Sequence, residues 1–362
     1  MKIRPIAFVL PQFHPIPEND LWWGKGFTEW TNVKKAKPLF KGHYQPQLPT
    51  AKLGFYDLRL PEARQAQADL AQEHGIHGFC YYHYWFNGKR LLNYPIDEIL
   101  RLQKPEIPFM LCWANENWTR TWDGKDNEIL IKQEYSFEDD AAHMRWLCSN
   151  VFHDKRYIRV NDCPVFVIYR HDLFPDIVKT SKIWRDIAVK EFGLKGLYLC
   201  TTESFNNQIN PAEINFDAAI EFSPHQVISN RIKKSQWEKW LENLGISNEK
   251  THSLRDFKLG VEQNMFRQLP SYKLYRSVTP AWDNTARKVK NGIISKGSTP
   301  KIYFQWLKYL VKRFTPFSKE ENFIFINAMN EWAEGNHLEP CVKYGDSYLK
   351  ATKRALEAKA YK

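Results

Sequence analysis

Cysteine is sparse and scattered in this 362-residue chain: there are six, Cys80, Cys112, Cys148, Cys163, Cys200 and Cys341, with no two at a zinc-ligand spacing. That pattern argues against both a structural metal knuckle and a disulfide framework. Most of them sit in or beside apolar runs, so they read as reduced core thiols. Long apolar runs are also missing, and none approaches the length of a membrane span. The opening Ile3-Arg4-Pro5-Ile6-Ala7-Phe8-Val9-Leu10 lacks a long apolar stretch followed by a small-residue cleavage site, so a cytoplasmic location is expected. Zinc-finger spacing, an aromatic RNA-recognition signature and a heptad zipper are all absent, so nucleic acid is not an expected partner. No Gly-x-Gly-x-x-Gly follows the first apolar run, which disfavours an open dinucleotide-binding sheet. Asp139-Asp140 lies in a helical stretch and Gly24-Lys25-Gly26 follows no strand, so the usual metal and phosphate signatures of a nucleotide-sugar transferase are not found.

Aromatic residues are abundant, at 15% with 14 Trp and 17 Tyr. Their flat apolar faces and polar edges suit stacking on sugars, although an aromatic core would use the same residues. Lys and Arg number 52 against 41 Asp and Glu, giving a net charge of +11 spread along the chain. Basic stretches occur at Lys34-Lys35 with Lys37, at Arg231 to Lys234, at Lys296 to Lys301 and in the tail from Lys350 to Lys362. The bland reading is a solvated face, and the sharper one is contact with phosphate-bearing glycans or a membrane surface.

Eight short apolar runs bounded by turn residues recur along the chain: Ile6 to Gln12, Gly78 to Trp85, Pro108 to Asn115, Pro164 to Arg170, Gly196 to Thr202, Phe216 to Phe222, Ser277 to Trp282 and Phe323 to Met329. Helical periodicity fills most of the gaps, at Glu62 to His74, Tyr94 to Lys104, Ser136 to Asn150, Ile183 to Phe192 and Pro300 to Phe314. This alternation predicts right-handed βα units and a parallel sheet covered on both faces. Eight units in one chain match an α/β (β/α)8 TIM barrel, expected here as a single catalytic domain over 1–362. Long loop insertions are expected at about 25–60 and 226–274, the second with Trp237 and Trp240, both on the face where barrel active sites are built.

If that is the fold, polar and aromatic residues should gather where each run stops. They do, in Gln12 and His14, in Tyr82, His83 and Trp85, in Trp113, Asn115 and Glu116, in Tyr169 and Arg170, then Glu203, Glu221 and Trp282. These are candidate sugar-binding residues, the glutamates for hydroxyls and the rings for stacking, with His14, His83 and Arg170 able to donate hydrogen bonds or neutralise a phosphate. Ordinary loop polars and core aromatics are the alternative. The last run leads into Asn330-Glu331-Trp332-Ala333-Glu334-Gly335, flanked by Asn336, His337 and Glu339. A helical step would place Glu331 and Glu334 on one face with Cβ atoms about 5–6 Å apart, near the separation of about 5–5.5 Å between carboxyl groups in retaining glycosidases. Two carboxyls this close resist joint ionisation, so one can serve as acid and the other as base. Most Glu-x-x-Glu pairs are solvated, and it is the position after the last strand that marks this one.

Four motifs in order resemble the WbsX-type family. They are Pro11-Gln12-Phe13-His14-Pro15 through Phe27-Thr28-Glu29-Trp30, then Gly78-Phe79-Cys80-Tyr81-Tyr82-His83-Tyr84-Trp85-Phe86, Cys112-Trp113-Ala114-Asn115-Glu116-Asn117-Trp118 and Asn327-Ala328-Met329-Asn330-Glu331-Trp332-Ala333-Glu334-Gly335. The resemblance runs nearly end to end. It implies kinship with glycoside hydrolase family 99, the endo-α-mannosidases, which are (β/α)8 barrels, and a place among bacterial O-antigen and surface-polysaccharide (lipopolysaccharide) genes whose products are usually called glycosyltransferases. Family 99 carries its chemistry on Glu-Trp-His-Glu-Gly, which aligns with Glu331 to Gly335. By that resemblance Glu331 deprotonates the sugar 2-hydroxyl, which attacks its own anomeric carbon, and Glu334 protonates the leaving oxygen. Ala333 stands where that pattern has histidine, which leaves the sugar open. The resemblance implies no metal and no other cofactor.

The leading expectation is therefore a retaining enzyme acting on α-linked, mannoside-like bonds of an oligosaccharide or polysaccharide repeat, free or lipid-diphosphate-linked, with peripheral membrane contact through the basic stretches. A nucleotide-sugar-dependent transferase on the same barrel and a non-catalytic glycan-binding barrel are the alternatives.

Overall fold

The computed structural model describes residues 3–120, 125–205, 207–228, 232, 252–288 and 290–358. Eight strand positions follow one another around a barrel: β1 (Arg4–Val9), β2 (Gly78–Phe86), β3 (Phe109–Trp113), β4 (Cys163–Ile168), β5 (Tyr198–Glu203), β6 (Ala218–Glu221), β7 and β8 (Phe323–Ile326). β7 is split into Leu274–Tyr275 and Ser277–Val278 around Arg276. All neighbouring pairs are parallel. The sheet closes through the split strand, whose first half pairs with β6 (Ala219 opposite Leu274) and whose second half pairs with β8 (Ser277 opposite Phe325). Every predicted run contains a strand here, with its ends displaced by up to four residues.

The strands form because their apolar runs are covered on both faces. All nine residues of β2 and all five of β3 are buried. Gly78 opens β2 because a Cβ there would stand 2.6 Å from the Pro108 carbonyl oxygen, so only glycine lets β2 lie this close to β3. Cys80 and Cys112 are fully buried on these two strands. All six cysteines are unbridged, and five are buried while Cys163 is partly exposed.

Helices pack outside, and all but the last described one start at a proline or a capping side chain. Among the described residues they are, in chain order, α1 (Pro17–Trp23), α2 (Glu29–Lys35), α3 (Pro61–Glu73), α4 (Tyr94–Leu102), α5 (Phe137–Asn150), α6 (Ile177–Asp186), α7 (Phe257–Phe266), α8 (Pro300–Lys312) and α9 (Ser347–Leu356). Ser136 caps α5 by accepting from the Asp139 N–H, and Thr299 caps α8 by accepting from Ile302. The helix predicted from Ile183 begins six residues earlier, because Asp176 caps it by accepting from Lys179, and it ends in a π turn at Ile187–Glu191. None of the described helices is long and apolar enough to cross a membrane.

The first insertion holds α2 and folds back over the end of β8, where the Pro49 backbone bridges Cys341 and Gln47 Oε1 lies 3.0 Å from His337 Nε2. In the second insertion, Ser253–Asp256 pairs with Ile293–Lys296 and leads into α7. Trp237 and Trp240 lie outside the described residues.

Candidate active site

At the C-terminal ends of the strands a cavity of about 650 Å³ opens among β1, β2, β4 and the loops after β3, β7 and β8. Trp22, Trp23, Tyr82, Tyr84, Trp118, Tyr169, Phe205, Phe222 and Trp282 give it an aromatic wall, and Gln12, Glu116, Asn117, His225, Asn284, Asn327, Arg287, Glu331 and Glu334 supply polar groups.

The two glutamates stand on a tight hairpin. Asn330–Glu331 pairs antiparallel with Asn336–His337, and the intervening Trp332–Glu334 forms a 3-10 turn closed by Gly335 in the left-handed region (φ 58°). The turn after Glu331 is therefore 3-10 and not the α-helical step predicted. Gly335 is required here for space as well as for φ, since a Cβ would stand 2.6 Å from Gln47 Nε2 and 3.1 Å from the Asp283 Cβ. The Asp283 N–H donates to the Glu334 carbonyl at 2.7 Å and ties the loop after β7 to the hairpin.

From that loop comes Arg287, which joins three carboxylates. Its Nη2 donates to Glu29 Oε1 at 2.6 Å and to Glu331 Oε2 at 2.7 Å, and its Nη1 lies 2.7 Å from Glu334 Oε1. Glu29 opens α2 after the Thr28 cap and also accepts from the Ala333 N–H at 3.1 Å, which fastens the turn between the two glutamates. Three carboxylates thus share one guanidinium. Burial pushes Glu331 up to about 8, because the pull of Arg287 is outweighed and Glu334 and Glu29 add repulsion. Glu334 is also raised by burial against Arg287. The Glu331 side chain is 6% exposed and that of Glu334 20%, so Glu334 is the more accessible from the cavity. Burial, reinforced by the glutamates, also holds the Tyr82 and Tyr169 hydroxyls far above their ordinary range, so both remain neutral donors.

Of the residues singled out from sequence, Gln12, Tyr82, Glu116, Tyr169, Trp282, Glu331 and Glu334 line the cavity. Arg170 stands behind Glu116, donating to it at 2.5 Å and to Asp172 at 2.6 Å. The others are placed elsewhere. His83, Trp85 and Trp113 belong to a buried cluster around His143, with His83 Nε2 2.9 Å from His143 Nε2 and the Trp85 indole donating to Asp139. His14 is buried with Nδ1 3.0 Å from the Pro11 carbonyl, and burial lowers it to about 4. Asn115 bridges Tyr135 and the Arg170 backbone. Asn330 bonds both backbone groups of Leu10.

Glu203 accepts from Tyr272 and Arg267, and Glu221 accepts from Asn264, Arg276 and the Ser277 N–H, so both are held in a network outside the cavity lining. The residues around the glutamate pair face inward too. Trp332 stacks on His337 at 3.7 Å and donates to Glu339, which also accepts from Tyr56 and Gln67. Asn336 accepts from Thr279.

Sequence reading passed over Arg287 and the role of Glu29. Glu29 lay in a recognised motif, and Arg287 follows the Trp282-Asp283-Asn284 rim only five residues after Trp282. Among the described residues no three His, Cys, Asp or Glu side chains are grouped as metal ligands would be.

Comparison with known proteins agrees with this architecture. A family described as Glycosyltransferase WbsX matches residues 5–352. An uncharacterized protein named WxcX from Xanthomonas campestris pv. campestris, strain B100, is 43% identical over 352 residues, covering 97% of this chain and 49% of its own length; this chain therefore spans about half the length of the curated relatives it matches. The GH99 endo-α-mannosidase of Bacteroides thetaiotaomicron, solved with BIS-TRIS-propane, shares the fold at a TM-score of 0.57 and 15% identity over 98% of this chain and 96% of that one. A structure described as a glycoside hydrolase-like protein aligns at 0.59 and 13%, over 99% and 95%.

Proposed function

This chain belongs to the WbsX family, and we propose that it is a glycosidase-like enzyme that breaks or transfers an α-linked, mannoside-like sugar of a surface polysaccharide with retention. The observation that carries this reading is the three-glutamate, one-arginine cluster on the floor of an aromatic-walled cavity. Excess carboxylate around one cation favours retention of a proton near neutral pH, as acid–base cleavage of an acetal requires.

In the proposed reaction Glu331 takes the proton of the sugar 2-hydroxyl as that oxygen bonds to the anomeric carbon. The bond to the leaving oxygen breaks, and that oxygen receives the proton of Glu334. Water or an acceptor hydroxyl then opens the anhydro sugar from the opposite face, giving its proton to Glu334 while Glu331 returns one to O2. Two inversions leave the configuration retained. Glu334, the more exposed of the pair, is suited to meet a leaving group, and Tyr82, Tyr169 and Trp282 offer faces and hydroxyls to the sugar.

The test is incubation of wild type and Glu334→Gln with polysaccharide-repeat oligosaccharides, with and without nucleotide sugars, read by mass spectrometry. Cleavage or exchange without a nucleotide, lost in the variant, is the expected result. Product formed only with a nucleotide sugar would replace this reading with the transferase that the family description favours, and binding without any product would leave a glycan-binding barrel.

A further inference from the structure

Beside the cleft a second hollow of about 410 Å³ shares Trp282 with it and is lined by the first insertion, the loop before α8 and the segment after the hairpin. Its charge is one-sided. Lys41, Lys296 and Lys343 enter it from three separate segments, and none of them pairs with a carboxylate among the described residues. Aromatic faces stand under two of these cations instead: the Lys296 Nζ lies 4.9 Å from the Phe40 ring centre, and the Lys343 Nζ lies 4.6 Å from that of Tyr44. Asp283, the acid in this wall among the described residues, is occupied, with Oδ2 contacting His43 at 2.8 Å and Gln45 at 2.9 Å and Oδ1 accepting from Thr285. The loop at Gly297 and Ser298 leads into the N-terminus of the 13-residue α8, whose dipole adds positive potential.

We propose that this hollow is a subsite for the phosphoryl group of a phosphorylated sugar, next to the cleft across Trp282. Lysines bind phosphoryl groups as compact point charges, and Lys41, Lys296 and Lys343 bring three of them to one wall. The aromatic lining offers the attached sugar a face, and the volume admits more than an isolated anion. That the subsite serves turnover rests on the cleft being a glycan site; that it binds phosphoryl groups does not.

The experiment is isothermal titration of the protein with inorganic pyrophosphate, glucose 1-phosphate, glucose and glucuronic acid at two salt concentrations. It is run on wild type, on the Lys296→Gln/Lys343→Gln double variant and on Glu331→Gln. Both phosphorylated probes are expected to bind at least tenfold more tightly than glucose and glucuronic acid, more weakly at high salt. The double variant, altered only at exposed positions, is expected to lose at least tenfold in affinity, and Glu331→Gln to bind as wild type does. Competition by farnesyl diphosphate or by uridine diphosphate glucose against pyrophosphate separates a lipid carrier from a nucleotide as the source, and displacement by either supports the subsite.

Pyrophosphate binding indifferent to the double variant would overturn the proposal, as would equal binding of glucuronic acid or displacement by neither competitor. Loss of turnover is not a readout here. A subsite that binds pyrophosphate in a protein whose glutamate variants keep their activity would refute the cleft reading alone.

Discussion

Arg287 is surrounded by three carboxylates, and each depends on it differently. Glu29 and Glu331 are buried, and removing their shared partner leaves uncompensated negative charge inside the protein. Arg287→Met is expected to cost about 3–5 kcal/mol of stability, read as a lowered urea midpoint, and to reduce turnover at least a hundredfold. Glu331 makes the pH behaviour specific. Its folded pKa of about 8 lies above the ordinary carboxylate range, so the folded state keeps a proton that the unfolded chain releases. Its favourable contribution to folding is present in acid and is lost as pH rises from about 4.5 through about 8. Glu331→Gln keeps the neutral form at every pH, so its melting temperature relative to wild type is expected to climb between pH 5 and 9. For catalysis the sign is opposite. A base must be unprotonated, so kcat/KM is expected to rise up to about pH 8 if Glu331 accepts the 2-hydroxyl proton. A profile that falls through that pH would instead assign Glu331 the acid role.

The element that makes this pair is the hairpin from Asn330 to His337. Its spacing was legible: two glutamates three apart after the last apolar run were expected to share a face. The 3-10 turn was not, because it depends on the Glu29 carboxylate accepting from Ala333 and on Asp283 holding the Glu334 carbonyl, contacts spanning 304 and 51 positions of sequence. Gly335 is where the turn is most easily broken. Gly335→Ala puts a side chain into left-handed backbone and displaces Gln47 from His337. It is expected to destabilise by about 1–2 kcal/mol and to reduce kcat more than it raises KM, since the acid moves while the aromatic wall stays. Urea titration and steady-state kinetics on one preparation check both.

At the scale of the whole molecule the barrel closes through β7, and Glu221 fastens that closure. Arg276 separates the two halves of the strand and donates to Glu221 Oε2 at 2.8 Å, while the Ser277 N–H of the second half donates to the same oxygen at 3.0 Å. At the end of an apolar run this glutamate reads from sequence as a sugar ligand; in the barrel it is fully buried and pinned. Glu221→Ala is expected to cost about 2–4 kcal/mol by leaving the partly buried Arg276 and Arg267 without their buried carboxylate, and to leave KM for any surviving activity unchanged. Thermal unfolding and kinetics on the residual folded fraction separate the two effects.

Strand order and fold class came from local information, because a buried parallel strand needs a continuous apolar run and each helix between strands carries its own period and cap. The three-residue separation of the two glutamates was legible in the same way, but the turn that carries both to Arg287 depends on Glu29 and Asp283. That Tyr82 faces away from His83 and Trp85 follows from the alternation of a strand, but which face meets the cavity was decided only in three dimensions. Tyr82 faces the cavity while His83 and Trp85 join the cluster around His143, although all three stand on one strand. Arg287 could be recognised only once the loop after β7 lay against the β8 hairpin and α2. Charge pairing at distances below 3 Å between Glu29, Arg287, Glu331 and Glu334 is set by packing, because the four residues come from three segments that local sequence pattern does not bring together.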